Sequence, residues 1–319
     1  MANQLNVYTS FLLGFIVSLI LGKLLIKKLT ILKYGQSIRE EGPKSHFKKT
    51  GTPTMGGIIF ILSFSIVILV NYNFNIDLFI IIVASLGLAL IGFIDDYKII
   101  KLKSNEGISP KQKIVSQILV ALLVSILGYY YLGSDVFIPF ISRSFEMRLF
   151  YIPFNIFFVV ALTNSVNLTD GLDGLSTTVT IIVLSFFLIV SVVLKENFLA
   201  IIIISMIGAL FGFLYYNWNP AKIFMGDVGS LSLGGLIASL AIVLKLQLLI
   251  PIVGVIYMLE TISVIIQVYF FKRYGKRVFK MTPIHHHYEL SGYSEKNIVK
   301  KFTLVTIIGC LIGLLLLFF

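Results

Sequence analysis

Long apolar runs recur from one end of this 319-residue chain to the other, and they limit its fold more than any other feature. Ten stand out, at about 8–26, 56–71, 77–94, 114–132, 151–167, 177–194, 198–216, 231–245, 248–271 and 303–319. Crossing a hydrocarbon core of about 30 Å takes roughly 20 residues of helix. Within a bilayer the backbone must satisfy its own hydrogen bonds, which a helix does inside one segment. No barrel-like alternation is visible. The pattern therefore predicts an all-α polytopic membrane protein of about ten transmembrane helices, forming one domain over 1–319. A mean hydropathy of +0.96 excludes an ordinary soluble domain. One cysteine, Cys310, excludes an intrachain disulfide framework.

Charge predicts the orientation. The segments between runs alternate: 27–55, 95–113, 168–176, 217–230 and 272–302 are polar, and all but the third hold lysine or arginine, while 72–76, 133–150, 195–197 and 246–247 are mostly short. Of the 26 Lys and Arg residues, only Lys23, Arg143, Arg148, Lys195 and Lys245 lie outside the first set. Basic loops stay in the cytoplasm, so the first set is expected there and both termini outside. The uncharged start of the first run, followed by Lys23, Lys27 and Lys28, predicts a retained span rather than a cleaved leader. This topology accounts for the net charge of +11 without a nucleic-acid partner, and attraction to anionic membrane lipid adds to it. The outer stretch 133–150, with Pro139 and several β-branched and aromatic residues, is expected to form a short hairpin. No internal repeat is seen, which counts mildly against a secondary transporter.

The expected cytoplasmic segments carry residues that a mere connection does not need. One is Asn217–Ser230, with Lys222, Phe224 and Asp227 among glycines; the bland alternative is a tight turn with Ser230 capping the next helix. Another is Asp95-Asp96 at the end of the third run, where adjacent carboxylates need water or a cation to compensate them. A third is Asn167-Leu-Thr-Asp170-Gly-Leu-Asp173, which in helical phase would set Asn167, Asp170 and Asp173 on one face. Lys111 and Lys113 open the fourth run, and Lys48-Lys49 precede Gly51-Thr-Pro-Thr-Met-Gly-Gly57, a stretch suited to a phosphate or to anchoring a helix start. His285, His286 and His287 are consecutive; such neighbours rarely reach one zinc ion together, and they serve better as donors to phosphate. Acids on one side imply a hard divalent cation, Mg²⁺ above all, with Asp227 the leading ligand. Cations and histidines imply phosphoryl oxygens, and the spans imply a lipid co-substrate. Phosphoryl transfer from a soluble donor to a membrane-embedded acceptor is the expectation. A cation transporter would instead bury its acids mid-span, where only Glu260 qualifies.

These motifs, with Asn217-x-x-Pro220-Ala221, Phe224-Met-Gly-Asp-Val-Gly-Ser230 and Pro283-Ile-His-His-His-Tyr-Glu289, resemble in order the bacterial phospho-N-acetylmuramoyl-pentapeptide transferase family. The resemblance implies transfer of phospho-MurNAc-pentapeptide from UDP-MurNAc-pentapeptide to undecaprenyl phosphate, giving lipid I and UMP with Mg²⁺. It also implies a homodimer in the cytoplasmic (inner) membrane, with the active site facing the cytoplasm. It assigns Asp227 to the metal and Asp95 to the base, or to the nucleophile of a two-step route. Asp96 would assist the metal or substrate. Asn167, Asp170, Asp173, Asn217 and Gln267 would line the nucleotide pocket, with Phe224 against the uracil. His285, His286 (counted as catalytic) and His287 would meet the diphosphate or sugar, and Lys48, Lys111 and Lys113 the phosphates. Ile99 replaces a lysine common in the family, which leaves Lys98 or Lys101 as substitutes. A sister family that transfers HexNAc-1-phosphate to a polyprenyl phosphate shares the acids, but its histidine motif typically reads Asp-Arg-x-His-x-His-His.

Overall fold

The computed structural model describes residues 6–31, 49, 51–70, 75–102, 107–141 and 143–318; Lys48 lies outside the described residues. In chain order the helices are α1 (Val7–Ile31), α2 (Gly57–Val70), α3 (Ile76–Leu102), α4 (Pro110–Leu132), α5 (Tyr151–Thr169), α6 (Leu175–Val193), α7 (Asn197–Asn217) and α8 (Gly226–Val243). After these come α9 (Ile250–Val253), α10 (Val255–Tyr274), α11 (Ile284–Glu289) and α12 (Glu295–Phe318). Among the described residues, nine helices are long and apolar enough to cross a membrane, and α2 is an apolar helix of 14 residues. The expectation of about ten spans thus resolves into nine of full length and one short. The ninth run is broken at Gly254, where α9 ends and α10 begins. The expected outer hairpin is present: β1 (Asp135–Ile138) pairs antiparallel with β2 (Arg143–Glu146), Asp135 opposite Glu146.

Helix α8 is the centre of the bundle. Every residue from Val228 to Ile242 is buried. Small residues make this possible, because between helices in lipid, close backbone approach replaces the hydrophobic drive available in water. A Cβ on Gly234 would lie 2.5 Å from Thr163 Cα of α5, and one on Gly235 would lie 2.6 Å from the Ala84 carbonyl oxygen of α3. Ser85 and Ser232 hydrogen-bond across the α3–α8 contact at 2.9 Å. Helix α1 lies along α7 at the periphery. Its outer stripe of Leu12, Ile16, Ile20 and Leu24 is exposed, as a lipid-facing surface requires.

Three boundaries differ from the sequence expectation, and each moves a functional residue. Helix α8 starts at Gly226, so Asp227 sits in a first helical turn, not in a loop. Helix α3 runs on to Leu102, so Asp95 and Asp96 are inside a helix. Helix α5 stops at Thr169, with Asp170 as its C-cap, and Gly174 takes φ +75° in the turn that follows. Asn167, Asp170 and Asp173 therefore do not share one helical face.

Candidate active site

Helices α3 and α8 meet where Gly92 faces the first turn of α8. A Cβ there would lie 2.2 Å from the Asp227 carbonyl oxygen. This contact sets the two aspartates of α3 against the start of α8. The Asp96 carboxylate accepts hydrogen bonds from the backbone N–H groups of Asp227 (3.2 Å) and Val228 (3.0 Å). A helix leaves its first N–H groups unpaired and carries positive potential there, so a carboxylate from a neighbouring helix caps it well. Gly226, at φ +74°, lets the backbone turn into this cap; a Cβ on it would lie 2.5 Å from Asp96 Oδ2.

Asp95 points to the other side of the contact. It accepts hydrogen bonds from Ile108 N–H at 2.7 Å and from the Lys113 ammonium at 3.3 Å. The same ammonium donates to Asp227 Oδ2. Asn167 of α5 donates to Asp227 Oδ1 and to Ser230 Oγ, both at 2.8 Å. Asp95 and Asp227, from different helices, thus share one cation, and the Asp227 side chain keeps 24% of its exposure. Lys113, not Lys98 or Lys101, supplies the ammonium between the acids; Lys101 lies 5.9 Å over the Tyr97 ring. Asp170 sits beside this group, its N–H bonded to the Asn167 carbonyl oxygen. Burial, and then the negative charges of Asp227, Asp96 and Asp173, push its carboxyl well above the usual carboxylate range.

Among the described residues, no three carboxylate, histidine or cysteine side chains converge tightly enough to hold an ion unaided. Mg²⁺ does not require that. It keeps several waters and takes one or two carboxylates together with substrate phosphates. The two carboxylates of Asp95 and Asp227 outnumber the one ammonium between them, and Asp227 stays partly exposed, a donor set that suits such an ion.

The remaining predicted residues divide by how far their polar atoms are already engaged. Asp173 is buried, with both oxygens occupied by Lys49, Asn219 and Ala221 N–H. Asn217 is buried as well: it accepts from Thr177 at 2.8 Å and donates to the Ile223 carbonyl oxygen at 3.0 Å. Gln267 holds the loop after α10, donating to Phe279 O and accepting from Val278 and Phe279 N–H. His285 is buried, with Nδ1 3.0 Å from Glu260 Oε1 and Nε2 against Gly171. That pairing gives the mid-span acid Glu260 a histidine partner. His286 pairs with Glu289 at 2.7 Å, and His287 accepts from Lys280 N–H at 3.2 Å. Phe224 is half-buried, and its backbone is bonded to Pro53 and Gly56. Lys111 is exposed at the start of α4.

Sequence reasoning passed over Ser230 as an Asn167 partner, the Asn164–Gln117 amide pair and the group of Lys49, Asn219 and Glu295. Ser230, Lys49 and Asn219 each lay within a highlighted motif, but nothing local marked these partners. Ser230 does not cap α8; its hydroxyl bonds back to the Gly226 carbonyl oxygen.

A helical membrane bundle with paired acids and a lysine at one end of its central helix is the setting of a membrane transferase. The sequence model of glycosyl transferase family 4 matches residues 78–245, which span α3 through the end of α8. A phospho-N-acetylmuramoyl-pentapeptide-transferase signature matches residues 49–61. Proteins named phospho-N-acetylmuramoyl-pentapeptide-transferase align over nearly full length. The one from Clostridium novyi is 49% identical over 96% of this chain and 95% of its own. That from Caldanaerobacter subterraneus subsp. tengcongensis is 45% identical over 95% and 96%, and that from Clostridium perfringens 46% over 97% and 98%. The chain belongs to the phospho-N-acetylmuramoyl-pentapeptide transferase family.

Proposed function

We propose that this protein transfers phospho-MurNAc-pentapeptide from its UDP carrier to undecaprenyl phosphate, releasing UMP and forming lipid I. A phosphate oxygen of the lipid attacks the sugar-bound phosphorus of the donor. The bond from that phosphorus to the bridging oxygen breaks, and UMP departs with it. The observation that carries the reading is that Asp95 and Asp227, on two helices, converge on the Lys113 ammonium. Asp95 would accept a proton from the lipid phosphate. Lys113 offers positive charge to the diphosphate, and Asn167 fixes the orientation of the Asp227 carboxylate. Bound Mg²⁺, held by Asp227 with Asp95 beside it, would neutralise charge developing on the phosphoryl oxygens. Phe224 would stack on the uracil. The reading includes a homodimer in the bacterial inner membrane, with this end of the bundle in the cytoplasm.

The test is UMP release by the purified protein with undecaprenyl phosphate and Mg²⁺, offering UDP-MurNAc-pentapeptide or UDP-GlcNAc. UMP from the first donor only is the expected result. UMP from the second only would hand the substrate to the HexNAc-1-phosphate sister family. UMP from neither, beside a working control enzyme, would refute the transferase reading for this chain.

A further inference from the structure

Lys49, Asp173, Asn219 and Glu295 close a ring of hydrogen bonds that shares no partner with the acids of α3 and α8. The Lys49 ammonium donates to Asp173 Oδ1 at 2.8 Å and to Glu295 Oε2 at 2.7 Å. The Asn219 amide donates to Asp173 Oδ2 at 3.1 Å and to the same Glu295 Oε2 at 3.2 Å. Ala221 N–H adds a bond to Asp173 Oδ2 at 3.0 Å. Four separate stretches meet here: the approach to α2, the turn between α5 and α6, the loop between α7 and α8, and the first turn of α12.

The ring holds one end of the 217–225 loop. The other end is held by backbone: Phe224 N–H donates to Pro53 O, Gly56 N–H to Phe224 O and Gly57 N–H to Met225 O, each at 2.8 Å. Phe224 lies close to this second attachment, and Asn219 and Ala221 lie at the first. The loop is therefore clamped between the 49–57 segment and the Asp173 turn, and Glu295 braces the clamp from α12.

We propose that Glu295 and Asn219 are positioning residues for the nucleotide-binding loop: through Lys49 and Asp173 they hold Phe224 in register, so that loss of the ring weakens binding of the uridine nucleotide rather than the transfer step. This rests on Phe224 contacting the uracil, as in the function proposed above. The side chains of Lys49, Asp173 and Glu295 are 17%, 1% and 12% exposed. A part-buried network of charges loses more than a single contact when one member goes, because its neighbours are left unpaired. One Glu295 oxygen takes both bonds, and an amide oxygen has the lone pairs to do the same.

Replacing Glu295 with leucine should raise KM for the UDP donor about tenfold, with kcat within roughly twofold of wild type. The Glu295→Gln variant should recover donor KM to within about threefold, because it keeps the acceptor. The Asn219→Ala variant should raise KM in the same direction, and Lys49→Met combined with Glu295→Leu should cost less than the two separately. Calorimetric binding of UMP to each folded variant gives the direct measure. If the wild type binds no UMP, the nucleotide reading itself fails. If the wild type binds UMP and Glu295→Leu and Asn219→Ala bind it equally well, the positioning role is overturned. A lower melting temperature with unchanged donor KM would overturn it too, since a purely structural brace behaves that way.

Discussion

Replacing Gly92 with alanine tests whether the spacing of α3 and α8 sets the site. The added Cβ would lie 2.2 Å from the Asp227 carbonyl oxygen, 2.3 Å from its carbon and 2.5 Å from the Val228 nitrogen. All three are backbone atoms at the start of the central helix, so no side chain can rotate aside. Ordinary contact begins near 3.4 Å, and the helices must part locally by roughly 1 Å to admit the methyl group. Asp95 and Asp96 follow on the next turn of α3. The separation lengthens both Asp96 caps, now 3.2 and 3.0 Å, and pulls Asp95 away from the ammonium it shares with Asp227. Overpacking of this kind costs about 1–3 kcal/mol of stability. A misplacement of roughly 1 Å between catalytic groups costs on the order of 10²-fold in turnover. The assay is UMP release at saturating donor and lipid, with thermal unfolding measured on the same detergent preparation. Gly87→Ala is the control: it lies on the same helix, but the nearest atoms to its Cβ would belong to the Val120 side chain, from 3.2 Å. A folded Gly92→Ala enzyme with turnover within threefold of wild type would refute the argument from helix spacing.

The other predictions concern the acids themselves. Asp227→Ala and Asp95→Asn should each abolish UMP release while the protein remains folded in detergent; near-full activity in either would remove that residue from its role. Asp96→Ala leaves two backbone donors unpaired, one of them buried, and should cost roughly 2–4 kcal/mol, read as a fall in melting temperature, with Asp96→Asn recovering part of it. A loss no larger in alanine than in asparagine would contradict the capping role. Asp170 contributes to the pH dependence. Its folded carboxyl titrates above the unfolded value of about 3.9, so its contribution to stability is full below that value and is lost as pH rises through the folded one. Melting temperature without divalent ions should therefore fall as pH rises out of the ordinary carboxylate range, and Asp170→Asn should flatten the fall. An unchanged slope would assign the effect elsewhere.

Several residues legible in the sequence as chemically active gather in one place, and others bond the loops around it. Asp95, Asp96, Asn167, Asp170, Asp227 and Lys113 come together at the start of α8. Asp173, Asn217 and Gln267 read as pocket residues, and their polar atoms bond neighbouring side chains and loop backbone. A motif shows that a polar residue matters. It does not show whether the polar group faces a substrate or an orphaned peptide N–H, because the partner comes from a distant part of the chain.

Hydrophobic run length, together with the lack of barrel-like alternation, determined the class of fold without any structure. Both follow from the solvent: apolar segments of span length have no better place than lipid, and their backbone has no better form than helix. The order of motifs likewise determined the family. Only the tertiary structure decided where α8 begins, because its N-terminal cap is the Asp96 carboxylate of another helix. It also decided which lysine serves the acids, since Lys113 reaches Asp95 and Asp227 across helices far apart in sequence. Pairings of that kind depend on interhelical approach, which glycine contacts such as Gly92 against Asp227 make possible and local sequence does not encode.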